Sequence, residues 1–293
     1  MRILYDLLRV NHWFKNALVF GGMVLALWYK GDYSLNSRFL LQVIGSFILA
    51  SFVSSSNYII NQIVDTHFDL LHPIKKLRPI PSGKIKKGHA FILAMVIFLL
   101  AIIVSSSLYE VSFSYTLIIF FVAGIIYNIR PIRLKDVVYL DVVSESVNNP
   151  IRFSLGWFLV LPNTMPPVLL LLTTWALGAI FMTGKRYDEF QTLGKKLVPY
   201  RKSFQHYNPE NLKRMVYFYS VTTSSLFIAI CFKYNKLLLL CVPSVMLFLV
   251  WSVRKILSGE AKAATIESFF LTRKFIIFAI IVSIPFLIVF YLI

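Results

Sequence analysis

This sequence predicts an all-α integral membrane protein of about nine transmembrane helices, and three features carry that expectation. Of its 293 residues, 58% are hydrophobic and only 15% charged, whereas a soluble domain carries about a quarter charged residues. Apolar stretches near the ~20 residues that span a bilayer recur from end to end. These stretches do not alternate apolar with polar as barrel strands would, and in lipid only helices or closed barrels satisfy the backbone.

Taken in order, the spans fall at about 12–29, 39–63, 89–109, 112–129, 138–160, 165–184, 212–232, 236–253 and 274–292. The N-terminal stretch, MRILYDLLRVNHWFKN, lacks the clean apolar core and small-residue cleavage site of a signal peptide. Asp141, Glu145, Asn148, Asn149 and Arg152 interrupt the fifth. The longest polar connections, 64–88 and 185–211, are too short for a soluble domain, so 1–293 reads as a single polytopic membrane domain. Cys231 and Cys241 lie in apolar runs without metal-ligand spacing and read as packing residues.

Charge sets the expected orientation. With a cytoplasmic N-terminus and alternating loops, 25 of the 30 basic residues fall on the cytoplasmic side. Lys30, Arg38, Lys233 and Lys236 fall opposite, and Arg152 lies within a span. That asymmetry follows the positive-inside rule and puts the C-terminus on the opposite side. Lipid topology therefore accounts for the net charge of +17, and nucleic-acid binding is not needed.

The polar residues gather into three clusters. Asn61, Asp65 and Asp69 are spaced i, i+4, i+8 and line one face at the end of the second helix. Carboxylates this close repel unless a cation lies between them. Oxygen ligands suit Mg²⁺, which takes one or two carboxylates and completes its octahedron with water and substrate phosphate. A solvated helix end is the alternative. Just downstream, Lys75, Lys76 and Arg78 stand within reach of anything the aspartates hold through a metal. Cations beside metal-bound anionic oxygens stabilise phosphoryl and leaving groups. A loop touching only lipid headgroups would carry the same charges.

The second cluster runs from Tyr127 through Arg133, Lys135 and Asp136 into Asp141, Glu145, Asn148 and Arg152. The last four fall at i, i+4, i+7 and i+11, a polar stripe on an otherwise apolar helix. Ionisable residues inside a membrane helix are costly and mark a functional cavity by default. A structural Glu145–Arg152 ion pair competes with that reading. The third cluster, Gly184-Lys185-Arg186-Tyr187-Asp188-Glu189 with Tyr200-Arg201-Lys202-Ser203, reads by itself as a charged loop. The sequence has no Ser-His-Asp set, Gly-rich nucleotide loop or Cys/His metal set, and its five histidines lie near loops or helix ends. The implied chemistry is metal-assisted displacement of diphosphate.

Together these motifs resemble the UbiA superfamily of intramembrane prenyltransferases, over about residues 7–275. The first aspartate-rich motif of that superfamily is similar to Asn61–Asp69, with Gln62 where an aspartate is usual, and the second to Tyr127–Asp141. The stretches Asn11–Asn16, His72–Ile80, Gly184–Glu189 and Arg201–Ser203 look most like the decaprenyl-phosphate phosphoribosyltransferase branch. The resemblance implies nine helices around a central cavity open to the cytoplasm. It implies Mg²⁺ on Asn61, Asp65 and Asp69, and substrate phosphates held by Lys15, Lys75, Lys76, Arg78, Tyr127, Lys135, Arg152, Lys185 and Arg186. Asp65, Asp69 and Asp141 would be catalytic. The partners implied are membrane lipids, a polyprenyl lipid and a diphosphate-bearing donor. That donor is 5-phosphoribosyl diphosphate acting on a polyprenyl phosphate, or alternatively a prenyl diphosphate acting on an aromatic or lipid acceptor. A membrane transporter is the reading outside enzymes.

Overall fold

The computed structural model describes residues 2–31, 36–199, 201–258 and 272–292, and every regular element among them is helical. The α-helices are α1 (Arg2–Leu8), α2 (Leu18–Lys30), α3 (Ser37–Leu71), α4 (Lys87–Leu108), α5 (Val111–Asn128), α6 (Leu140–Ser146) and α7 (Asn148–Val160). They continue with α8 (Val168–Leu193), α9 (Pro209–Tyr234), α10 (Val242–Leu257) and α11 (Arg273–Leu292). Short 3₁₀ turns precede α2, α6 and α10. Lys262 of the last basic connection, and Tyr200, lie outside the described residues.

Seven helices among the described residues are long and apolar enough to cross a membrane: α3, α4, α5, α8, α9, the run Lys236–Leu257 and α11. The other two expected spans fall on α2 and on α6–α7. The chain divides into two compact units, one of residues 1–166 with 199–202, the other of residues 167–198 with 203–293.

In the first unit, α3 is the central element. Asn36 caps it by accepting a 2.8 Å hydrogen bond from the Phe39 amide. Its buried face is built from small residues: Ser46, Ala50, Ser51, Ser54, Ser55 and Ser56. Small residues let membrane helices approach closely, and buried hydroxyls find carbonyls, as Ser56 does with Ala94 O at 2.8 Å. The expected end of the apolar span at residue 63 is corrected: the helix runs on to Leu71, because Asp65, Thr66 and Asp69 in its last two turns find partners. Thr66 bonds back to Gln62 O and Ile63 O at 2.9 Å, and the aspartates find cations. It stops at His72, whose extended backbone (φ −87, ψ 132) is what the following Pro73 demands.

Helices α2 and α7 meet at two glycines. A Cβ on Gly22 would sit 1.9 Å from Phe153 O, and one on Gly156 would sit 1.7 Å from Val19 O, so only hydrogen fits at either place. Beside them Val19, Leu49, Val53, Phe113, Leu117, Phe120 and Leu155 form an apolar core.

The second unit packs α8 with α9 and α10. Cys231 and Cys241 are free thiols buried with Ile230, Leu238 and Val289, which is the packing role read from their apolar surroundings.

Candidate active site

The second turn from the end of α3 points Asp65 at residues that follow α5. Both Asp65 oxygens accept from Lys135 Nζ at 2.6 Å, and Oδ1 also accepts from Arg133 Nη2 at 2.9 Å. Arg133 sits in the left-handed region (φ 38), an uncommon conformation for a non-glycine residue. Three contacts hold it there: Asp65, Asp136 Oδ2 at 2.8 Å from Nε, and Asn128 O at 3.0 Å from Nη1. Burial pushes the Lys135 ammonium down to about 8, against the opposing pull of the Asp65 carboxylate.

Asn128, the last residue of α5, ties the two sides together. Its Oδ1 accepts from Asn61 Nδ2 and, at 3.0 Å, from Lys135 Nζ, while its own Nδ2 donates to Gly124 O at 2.8 Å. One turn beyond Asp65, the buried Asp69 accepts from Arg78 Nη1 at 2.7 Å. Lys75 is near enough to act on the same carboxylate. Lys76 is exposed.

A third group adjoins these. Asp141, in the first turn of α6, is fully buried, with Arg201 Nε 3.7 Å from its Oδ2. Arg201 also donates to Lys135 O at 3.1 Å and to the Tyr127 hydroxyl. That hydroxyl donates in turn to Glu145 Oε2 at 2.5 Å. Arg152 is buried and donates to Asn16 Oδ1 at 2.8 Å. The competing Glu145–Arg152 ion pair does not form, since Glu145 is directed to Tyr127 instead. Lys15 is half-buried in the 3₁₀ turn ahead of α2.

The first unit thus brings together Asn61, Asp65, Asp69, Arg78, Lys135, Tyr127 and Asp141 of the expected set. It adds Arg133, Asn128, Asp136, Glu145 and Arg201. In the second unit, Arg186 on α8 is fully buried and donates to Glu189 Oε2 at 2.9 Å, while Lys185 is half-buried.

The donor set fits Mg²⁺ in one particular way. No group of three or more His, Cys, Asp or Glu side chains among the described residues forms a protein-only metal cage. Mg²⁺ does not ask for one: one or two carboxylates suffice when water and substrate phosphate complete the octahedron. Asp65 and Asp69, one turn apart with Asn61 above them, offer that partial set. Gln62, standing where the family's motif usually has aspartate, does not join it: it is buried, and its Nε2 donates to Leu7 O at 3.3 Å.

Comparison with known proteins bears on the family and the fold. The decaprenyl-phosphate phosphoribosyltransferase of Mycolicibacterium smegmatis is 27% identical over 206 residues, covering 70% of this chain and 62% of that protein. The enzyme of the same name from Corynebacterium glutamicum is 26% identical over 218 residues, covering 70% of this chain and 60% of that protein. The chain therefore spans about 60% of the length of these curated relatives. The structure of a UbiA homolog from Archaeoglobus fulgidus bound to GPP and Mg²⁺ shares the fold, with a TM-score of 0.74 at 18% identity over 98% of this chain and 99% of that one. The pattern of the UbiA prenyltransferase family matches residues 17–291, and the chain belongs to that family.

Proposed function

We propose that this protein is a Mg²⁺-dependent intramembrane transferase that moves 5-phosphoribose from 5-phosphoribosyl diphosphate to a polyprenyl phosphate, releasing pyrophosphate. The observation that carries the reading is the pairing of Asp65 with Lys135 and Arg133, and of Asp69 with Arg78. Two carboxylates suited to a metal and three cations suited to phosphate oxygens already stand in contact. A metal–diphosphate can therefore be received by exchanging partners, its anionic oxygens meeting cations that the bundle already holds.

Asp65, Asp69 and Asn61 would hold Mg²⁺, which when bound there supplies Lewis-acid stabilisation of the departing diphosphate. Lys135, Arg133 and Arg78, released from the aspartates, would turn to the diphosphate oxygens, where charge-assisted bonds are strongest. The acceptor phosphate is anionic near neutral pH, so no general base is needed. Its oxygen attacks the anomeric carbon as the bond from that carbon to the diphosphate breaks. Asp141, kept in place by Arg201, faces the positive charge that develops on the ribose or accepts from its hydroxyls. The two named relatives and the stretches Asn11–Asn16 and His72–Ile80 support this donor.

The prenyl alternative keeps the same metal site and rests on the fold shared with the homolog bound to GPP. There an aromatic acceptor loses a proton, and Glu145 or Asp141 would take it. In either case the site would face the cytoplasm, a reading that the excess of basic residues in these loops supports. Membranes incubated with Mg²⁺, polyprenyl phosphate and labelled 5-phosphoribosyl diphosphate, and separately with labelled prenyl diphosphate, decide between the donors. Label entering lipid from the first alone supports the reading, and label from the second alone replaces it.

A further inference from the structure

Arg152, on α7, is a buried cation with no carboxylate within ion-pair distance among the described residues. Only 6% of its surface is accessible. Its Nε donates to Asn16 Oδ1 at 2.8 Å, and its guanidinium carbon stands 4.9 Å from the centre of the Phe120 ring. Asn16 is itself fully buried and fixed in orientation: its Nδ2 donates to Ser51 Oγ at 3.0 Å, and its Oδ1 accepts from Ser54 Oγ at 3.2 Å. The cradle is neutral except for the arginine. Glu145 and Tyr58 act on it only through space. Among the described residues no acceptor takes a hydrogen bond from Nη1 or Nη2.

A guanidinium taken out of water loses hydration that one amide oxygen and one aromatic face return only in part. Packing alone would be served as well by a leucine or methionine. A buried arginine with two undirected N–H edges calls for an anion from outside the chain, and its planar fork matches two oxygens of a phosphate. The site is separate from the aspartates. Ser54, which helps fix Asn16, precedes Asp65 on α3 by a rise of about 16 Å at ~1.5 Å per residue, farther than a diphosphate held at Asp65 extends. It also offers no carboxylate to a metal.

We propose that Arg152, seated by Asn16 over Phe120, is a metal-independent site for a phosphate monoester, distinct from the metal–diphosphate site of Asp65 and Asp69. The inference rests on the transferase reading. In that reaction two groups have this chemistry, the phosphate of the lipid acceptor and the 5-phosphate of the donor. An isoprenoid chain would gain nothing from a guanidinium.

The test uses the purified full chain in detergent, with Mg²⁺–pyrophosphate, ribose 5-phosphate and farnesyl phosphate as probes. On the unaltered protein, at least one monoester should bind without Mg²⁺ and should not compete with Mg²⁺–pyrophosphate. Arg152→Gln should weaken that monoester about ten- to a hundredfold while leaving Mg²⁺–pyrophosphate within about twofold, with Arg152→Lys in between. Loss for farnesyl phosphate alone assigns the site to the acceptor, and loss for ribose 5-phosphate alone assigns it to the donor. If Arg152→Gln does not fold, the competition experiment decides. A monoester that displaces Mg²⁺–pyrophosphate, or no monoester binding beside intact Mg²⁺–pyrophosphate binding, overturns the inference. Failure of Mg²⁺–pyrophosphate itself to bind overturns the transferase reading instead.

Discussion

Replacing Asp65 by asparagine probes the charge balance on which the site depends. Asp65 is 17% exposed, and the two cations it neutralises, Lys135 and Arg133, are each 6% exposed. Removing one partner of a buried ion pair typically costs about 3–5 kcal/mol, because the other charge stays buried without compensation. The asparagine keeps one oxygen for a hydrogen bond, and Arg133 keeps Asp136 at 2.8 Å. The expected loss therefore lies near the lower end, about 3 kcal/mol. Lys135→Met removes the ammonium and its 2.6 Å contacts but leaves Asp65 with Arg133. A double-mutant cycle isolates the pair. Unfolding of the two single variants and the double variant in mixed detergent micelles should give a coupling energy of about 1.5–3 kcal/mol, the worth of a charge-assisted hydrogen bond. Additivity within about 0.5 kcal/mol would refute the claim that these groups hold each other.

Three further expectations follow from other parts of the structure. Arg78→Gln leaves Asp69 without its 2.7 Å partner and should lower stability by about 1.5–3 kcal/mol; an unchanged melting curve in detergent would contradict this. Gly156→Val drives a Cβ to within 1.7 Å of Val19 O, so α2 and α7 must part and little folded protein should survive size-exclusion chromatography. Gly21→Ala, whose Cβ meets only Leu18 Cδ1 at 3.7 Å, should behave normally. Single cysteines at positions 84 and 196, in a background lacking Cys231 and Cys241, should resist a membrane-impermeant thiol reagent in intact cells, and labelling at either would reverse the topology.

The aspartate face was legible because it needs only the helical period: Asn61, Asp65 and Asp69 repeat every four residues on one helix. What each carboxylate touches was not legible. Arg133 and Lys135 lie 68 and 70 residues beyond Asp65. The contact also depends on a left-handed backbone at Arg133, which nothing in its own side chain favours. The apolar span ended near residue 63 because 64–71 are polar, while the aspartate spacing already carried the helical period to Asp69; tertiary partners satisfy that polarity and let the helix run to Leu71. The fifth span was recognised as interrupted, and two of its interrupting residues join the polar cluster, with Asp141 meeting Arg201 and Glu145 meeting Tyr127. Arg201 was visible only as part of a basic run. Asn16 was marked only as the end of the resembling stretch Asn11–Asn16, since an amide signals no role until the arginine it positions is known. Arg186 illustrates the opposite limit: a basic residue that looks available in sequence is fully buried against Glu189.

The central claim is that the α3 carboxylates work with a metal to release diphosphate. The most direct test is pyrophosphate release by the purified full chain supplied with Mg²⁺, polyprenyl phosphate and labelled 5-phosphoribosyl diphosphate. The account predicts one pyrophosphate for each labelled lipid formed, with both products abolished by excess chelator and by Asp69→Asn. Pyrophosphate and labelled lipid forming undiminished in chelator, or in Asp69→Asn, would contradict it.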